Sequence, residues 1–333
     1  MDYLSAMNVD VLALGTSITT LKLMQLMNEY RDVKIIAVDC SPRPGGIIAP
    51  ISTIIGRVSL VPLLGVDSAK SLKFNVETVI VKDGDYVSKV HAFENHTHFQ
   101  EPWFIRWRKA FASSKSMYIT VDTEPIVPRL SRSRIVSNIR KIFIERRIAA
   151  LSTGATYRFR YLVTAWPLDV LLRKVTPLPN SCSNIVNQLR SIAVHISLFV
   201  EELTKESSGH AIMYIHSTKA SRFHTAIKLF LGRYAITYAY TSFTHSYPLL
   251  PGITEKIISE MKRFRIVNEE RIVDERHAAY MYAALSKTDC IRECLEELEG
   301  YDILCVGRLG TWREASINDL YVQANEALKK LSF

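Results

Sequence analysis

Hydrophobic positions in this chain come as short unbroken runs, as alternating stretches and as stretches with helical spacing. Val9 to Leu14 is apolar except for Asp10, and Gly15 closes it. A run this short and this apolar predicts a strand covered on both faces. From Ile18 to about Tyr30 apolar residues return every three or four positions, which predicts an amphipathic helix. Val33 to Val38 predicts a second buried strand, ended by Asp39. Strand, helix and strand in this order make the βαβ unit of a parallel sheet.

Further along, apolar residues alternate from Ile135 to Ile144, Gly154 marks a turn, and a short apolar strand ends at Thr164, before Pro167. Ser191–Val200, Ala211–His216 and Tyr234–Phe243 alternate as strands, with Gly209 and Gly232 read as the turns between them. Glu255–Arg263 and Asp289–Leu298 have helical periodicity. Ile303 to Val306 predicts a last buried strand, and a helical pattern begins near Ile317. The fold class that follows is α/β, with a sheet-rich region in its second half.

Two strand ends carry candidate chemistry. Gly15 follows the first strand, and Gly307-Arg308-Leu309-Gly310 follows the last. Glycine lets backbone N–H groups approach an anion closely, and a helix starting there adds positive potential. Arg308 adds a guanidinium that pairs with phosphate through two bonds.

The stretch Gly307-Arg-Leu-Gly310-Thr-Trp312, with Asp319 nine residues after its second glycine, resembles the C-terminal motif of a known family. These are the FAD/NAD(P)-binding Rossmann flavoproteins of the UDP-galactopyranose mutase, protoporphyrinogen oxidase and amine oxidase type. Their first strand is followed by Gly-x-Gly-x-x-Gly, and here Gly15, Ser17 and Thr20 occupy the three places. Asp39 stands where the family has the acidic residue that bonds the ribose. Ser41-Pro-Arg43-Pro-Gly45-Gly46 is similar to its Arg-x-Gly-Gly turn, and Leu162-Val-Thr-Ala-Trp166-Pro-Leu168 to its strand ending in Thr-x-Pro-Leu.

The resemblance implies a Rossmann-like FAD-binding domain made of 1–60, 134–175 and 296–333. A second, sheet-rich domain for substrate or partner, 61–133 and 176–295, is interleaved with it. It implies FAD as cofactor, held by Gly15, Ser17, Thr20, Asp39, Arg43, Gly45, Gly46, Gly307, Arg308, Gly310 and Asp319, in an FAD-dependent oxidoreductase-like protein. Ser17 puts a Cβ and a hydroxyl where the family backbone meets the pyrophosphate. Thr20 is bulkier than the glycine that lets helix and strand pack closely. A second reading is therefore a flavoprotein fold that has lost its cofactor and serves as a basic binding subunit.

Composition supports an interleaved pair of domains. The 333 residues are 48% hydrophobic, enough for a sizeable core, and no Gly/Ser/Pro-rich linker divides them. Five cysteines, an odd number, argue against a disulfide framework and for a reducing cytoplasm. Cys290 and Cys294 share a helical face without a second pair at ligand spacing, so they read as thiols and not as a zinc site. Met1-Asp-Tyr-Leu has no signal-peptide pattern. Ile47 to Val66 is broken by Arg57, two prolines and two glycines, which predicts a core segment and no membrane span.

Charge changes the picture more. The net charge is +9, and residues 101–150 hold eleven Lys/Arg against Glu101, Asp122, Glu124 and Glu145. The densest run is Arg129, Arg132, Arg134, Arg140, Lys141, Arg146 and Arg147. Arg106, Arg108, Lys109 and Lys115 precede it, interleaved with Trp103, Phe104, Trp107 and Phe111. Such a block suits nucleic acid, an acidic protein or an anionic substrate, and equally a solvated face. Strand alternation would divide the run between two faces, while Trp103 and Trp107 at i, i+4 predict the buried side of a helix. No Ser–His–Asp, paired-carboxylate or phosphate-loop signature stands out, so any redox chemistry would come from a cofactor. His195, His216, His224 and Tyr240 are the candidate pocket residues of the second domain.

Overall fold

The computed structural model describes residues 6–30, 32–41, 44–59, 61, 72–82, 85–87, 99–112, 116–119, 133–216, 221–288 and 290–332. Arg43, Lys115, Arg129, Arg132 and Asp289 lie outside the described residues.

The chain opens with β1 (Met7–Leu14), α1 (Ile18–Leu26) and β2 (Ile35–Asp39). A hairpin of β3 (Pro50–Thr53) and β4 (Gly56–Ser59) follows, then β5 (Leu72–Lys82), β6 (Asp85–Val87), α2 (Pro102–Ala112) and β7 (Ser116–Ile119). Next come β8 (Ser133–Val136), β9 (Ile139–Phe143), β10 (Ile148–Leu151) and β11 (Thr156–Thr164). Short pieces α3 (Leu168–Leu172), β12 (Val175–Thr176) and α4 (Asn180–Ser183) lead to two long strands, β13 (Ser191–His216) and β14 (Thr225–Phe243). The chain ends through α5 (Ile253–Arg263), β15 (Ile272–Leu285), α6 (Ile291–Gly300), β16 (Ile303–Cys305), α7 (Gly307–Gly310) and α8 (Ile317–Lys330). Met1–Ala49, Glu124–Arg190 and Ser286–Phe333 form one compact unit, and Pro50–Thr123 with Ser191–Leu285 form another.

In the first unit β8, β2, β1, β11 and β16 lie side by side and parallel in that order. This is the Rossmann order, with the chain starting in the middle of the sheet. β10 and β9 extend it antiparallel beyond the first half of β11, and β12 joins the far edge. The apolar run of β1 is buried from Val11 to Leu14 because helices cover the sheet. α1 contributes Leu23 and Met24 to this core, and α8 contributes Ala324 and Ala327, against Val11, Ala13, Ala37, Val163 and Leu304. α8 starts in a capping box: Ser316 accepts from Asp319 N–H, and the Asp319 carboxylate accepts from Ser316 N–H.

The expectation of five thiols is corrected here. Cys182 on α4 and Cys294 on α6 form a disulfide across a sequence separation of 112, with Cα atoms 4.7 Å apart. Five cysteines leave room for up to two bonds, and the packing of α4 on α6 supplies one. Cysteine number therefore no longer argues for a reducing compartment. Cys40 and Cys290 are exposed thiols, and Cys305 is half-buried.

In the second unit β13 pairs antiparallel with β14 and β15 and parallel with β5, while β6 and β7 add to β5. Gly209 and Gly232 are not turns between separate strands. They sit inside β13 and β14, at φ +79° and +66°, where the pairing shifts register around Ser207–Gly232 and Ser208–Leu231. Positive-φ glycines let a long strand bend through a bulge without ending. α5 lays Ile257 and Met261 on Phe199, Phe223 and Ala239. α2 buries Phe104 against Phe99, Ile192 and Ala284, with Trp103 and Trp107 packed on the same cluster. Arg108, one turn after Phe104, is 3% exposed, and its guanidinium donates to His224 O at 3.2 Å. It belongs to the inside of this unit and not to the basic surface. Among the described residues no helix is long and apolar enough to cross a membrane.

Candidate functional site

Strand order reverses direction between β1 and β11, and in such sheets ligands bind beyond the carboxyl ends of the strands at that point. Gly15 leaves β1 there at φ +83°, its N–H donating to Val38 O at 2.8 Å. A Cβ on Gly15 would lie 2.9 Å from Trp166 Cδ1, in the segment that leaves β11. Gly15 is thus required twice, by its φ and by Trp166.

α1 begins three residues on, at Ile18. Ser17 caps it, Oγ accepting from Thr20 N–H at 3.4 Å, and the first N–H groups of the helix have no intrahelical partner. The Thr20 hydroxyl donates back to Gly15 O at 2.8 Å, so it ties the loop where a third glycine would leave it bare. Thr19 Oγ1 is buried with no hydrogen-bond partner among the described residues. Facing it is Gly307 at φ +74°: a Cβ there would lie 3.2 Å from Thr19 Oγ1 and 3.6 Å from Ser17 Oγ. Gly307 N–H donates to Gln323 Oε1 on α8 at 2.8 Å.

Asp39, at the end of β2, is 7% exposed. Its Oδ2 accepts from Thr16 N–H at 2.7 Å and from the Thr16 hydroxyl, and its Oδ1 accepts from Ser41 N–H at 2.9 Å. Gly45, at φ +105°, donates its N–H to Thr16 O at 2.7 Å, and Gly46, at φ +62°, faces open space. The fold therefore brings Gly15, Ser17, Thr20, Asp39, Gly45, Gly46 and Gly307 to one place.

Three other expected ligands have work of their own. Arg308 pairs through Nε and Nη2 with both carboxylate oxygens of Glu314, each at 2.7 Å. A Cβ on Gly310 would lie 2.6 Å from Thr164 O, so this glycine lets α7 cross the end of β11. Asp319 caps α8, and the bonds from Ser316 hold its carboxyl below the usual range. Thr16, Thr19 and Gln323 join the site without a sequence signal of their own, and Trp166 joins from the motif segment that ends β11, because only the packing of β2, β11 and α8 on β1 and α1 places them.

No family model and no curated protein matches this sequence. Solved structures do match. Reduced UDP-galactopyranose mutase aligns with a TM-score of 0.73 at 12% identity, over 96% of this chain and 93% of that one. The chain has the FAD/NAD(P)-binding flavoprotein fold. A fatty acid isomerase from P. acnes that produces CLA shares this flavoprotein fold (TM-score 0.66, 10% identity, 96% of this chain and 98% of that). So does a putrescine oxidase redesigned in cofactor binding (TM-score 0.66, 9% identity, 98% and 99%). At these identities the likeness is one of fold.

The basic run takes a form that alternation does not predict. Pairing moves from Ala150–Lys141 to Leu151–Ile139, so a bulge leaves Arg140 without a cross-strand partner, and Arg140 and Lys141 are both exposed. Arg146 and Arg147 occupy the β9–β10 turn, where Arg147 pairs with Asp302. Arg134 is half-buried and donates to Ser41 O. Arg158 and Arg160 on β11, outside the run singled out in the sequence, are exposed in alternation with buried Tyr157 and Phe159.

His195, His216 and His224, the candidate pocket histidines, are interior groups of the second unit. His216 packs between Phe223 and Phe264, with ring centroids 4.7 and 4.8 Å away, and burial beside Arg263 and Arg108 lowers its pKa to about 4. His224 bonds Thr225 Oγ1 at 2.9 Å and Ser242 Oγ at 2.8 Å, and burial holds it neutral. His195 bonds Ser197 Oγ at 3.1 Å, its pKa lowered by burial and by His277. Tyr240 is buried too, and burial pushes its hydroxyl well up.

Proposed function

We propose that this chain is an FAD-dependent oxidoreductase-like protein that holds its cofactor in the first unit. What carries the reading is the convergence of Gly15, Gly45, Gly46 and Gly307 on the N-terminus of α1, at the switch point of the sheet. The residues present fit a dinucleotide at its pyrophosphate. The first turn of α1 offers N–H donors without intrahelical partners, and positive potential. Thr19 Oγ1 offers a buried hydroxyl that has no other partner among the described residues. Gly46 leaves open space, and Gly307 presents no side chain to the loop.

Bound FAD would supply the redox chemistry that the side chains here do not. The chain's own part is to bind and orient. α1 and Ser17 would hold the diphosphate, Asp39 would face the ribose, and the Gly307 turn would line the flavin edge, with Arg308 kept in place by Glu314. Arg43 and Asp319 complete the proposed set. The test is flavin absorbance of the purified protein, followed by calorimetric titration with FAD. Binding at one site per chain is expected, and the absence of both colour and heat would overturn the reading.

A second reading has its own observation. The bulge in β9 exposes Arg140 and Lys141 together, near exposed Arg146, Arg158 and Arg160. A cofactor-free protein of this fold would use that face to bind nucleic acid or an acidic protein. Salt dependence of binding tests it.

A further inference from the structure

The carboxylate that this fold would offer to a ribose is already bonded inside the chain. A carboxylate has about four lone-pair sites. At Asp39 three of them accept, from Thr16 N–H, the Thr16 hydroxyl and Ser41 N–H. Two of those bonds are backbone contacts that a bound ligand would leave in place. The third comes from a neutral aliphatic hydroxyl, the same kind of donor as a sugar 2′- or 3′-OH. Thr16 is 2% exposed, and its carbonyl is fixed by Gly45 N–H at 2.7 Å, so the hydroxyl is held where it is.

We propose that Thr16 is an internal substitute for a ribose hydroxyl: it occupies the ribose acceptor of the dinucleotide site and sets the affinity of that site for nucleoside diphosphates. The proposal rests on the reading that this site takes a dinucleotide. Thr16 acts through Asp39 and is a positioning residue. In the native chain a ribose gains less from Asp39, because a bond at Oδ2 would replace one already made and only one site, on Oδ1, is left. Binding then rests on the diphosphate at α1. Without the Thr16 hydroxyl, Oδ2 has an unfilled site in a nearly dry place, and a ribose hydroxyl that fills it recovers a bond to a charged group.

The experiment is calorimetric titration of the whole chain with ADP, with 2′,3′-dideoxy-ADP and with FAD, for the native protein and for Thr16→Ala. Alanine keeps the backbone bond to Asp39 and removes the hydroxyl, leaving room for a sugar hydroxyl at Oδ2. Thr16→Ala should bind ADP and FAD at least about tenfold tighter than the native protein, and should show no gain for dideoxy-ADP. Native protein should bind ADP and dideoxy-ADP within about threefold of each other, a comparison that stands even if the variant does not fold. Thr16→Ser, which keeps a hydroxyl, should have native values. A native preference for ADP over dideoxy-ADP of tenfold or more would overturn the proposal. So would equal FAD affinity in native and Thr16→Ala protein, an outcome that leaves the FAD reading standing. Binding by Thr16→Ala alone supports the substitution and removes FAD from the native protein. Binding by neither overturns both.

Discussion

Replacing Gly310 with alanine separates packing from cofactor holding. The new Cβ would lie 2.6 Å from Thr164 O and 3.4 Å from Ala165 Cα, both backbone atoms. A carbon normally keeps about 3.3 Å or more from a carbonyl oxygen, so α7 or the end of β11 must give by about 0.7 Å. Neither moves easily. Thr164 pairs with Leu14 on one side and Cys305 on the other, and its carbonyl accepts Val306 N–H at 2.8 Å. Overpacking of this kind costs about 1–3 kcal/mol, and the rigid backbone puts Gly310→Ala toward the upper end. At about 2–4 °C per kcal/mol for a domain of this size, the midpoint of thermal unfolding should fall by about 4 °C or more. The assay is thermal unfolding of native and variant protein with no flavin added. Gly46→Ala is the control: its Cβ would meet open space, so only the positive φ costs, about 1 kcal/mol. An unchanged midpoint for Gly310→Ala would refute the packing argument and return Gly310 to the cofactor cradle.

Thiol titration of unreduced, denatured protein should find Cys40, Cys290 and Cys305, and all five cysteines after reduction. Reduction should cost about 2–4 kcal/mol of stability, and five thiols without reductant would disprove the bond. His216, held at about 4 when folded, favours the folded state in its neutral form, so its contribution is full above the unfolded pKa of about 6.5 and is lost as pH falls toward 4. That loss approaches roughly 3 kcal/mol, and His216→Phe should flatten the denaturation midpoint over this window; parallel curves would count against the assignment. For the binding-subunit reading, charge reversal of Arg140, Lys141 and Arg158 should flatten the slope of log K against log salt for single-stranded nucleic acid by about 2–3 units. A slope as steep as that of the native protein would remove this face from the contact.

Much of this molecule is written in local pattern. The apolar runs of β1, β2 and β16 name the strands of the parallel sheet, and helical spacing places α1, α5 and α8. Gly15 and Gly307 mark turns that need positive φ. Such signals are legible because each reports how a few neighbouring residues meet core and solvent, a property of the segment itself. What the glycines and carboxylates do is another matter. Gly310 matches a flavin motif, and its backbone lies against Thr164. Asp39 matches a ribose ligand, and it bonds Thr16, 23 residues away. Arg108 counts toward a basic block, and it donates inside the protein to His224. Gly209 and Gly232 look like strand ends, and cross-strand pairing carries β13 and β14 through them. The Cys182–Cys294 bond and the bulge at Arg140 belong with these. In each case the deciding partner comes from a distant part of the chain. Hydrogen bonds and steric contacts are settled within a few tenths of an ångström, and only the packing of strand on strand and helix on sheet fixes positions that finely.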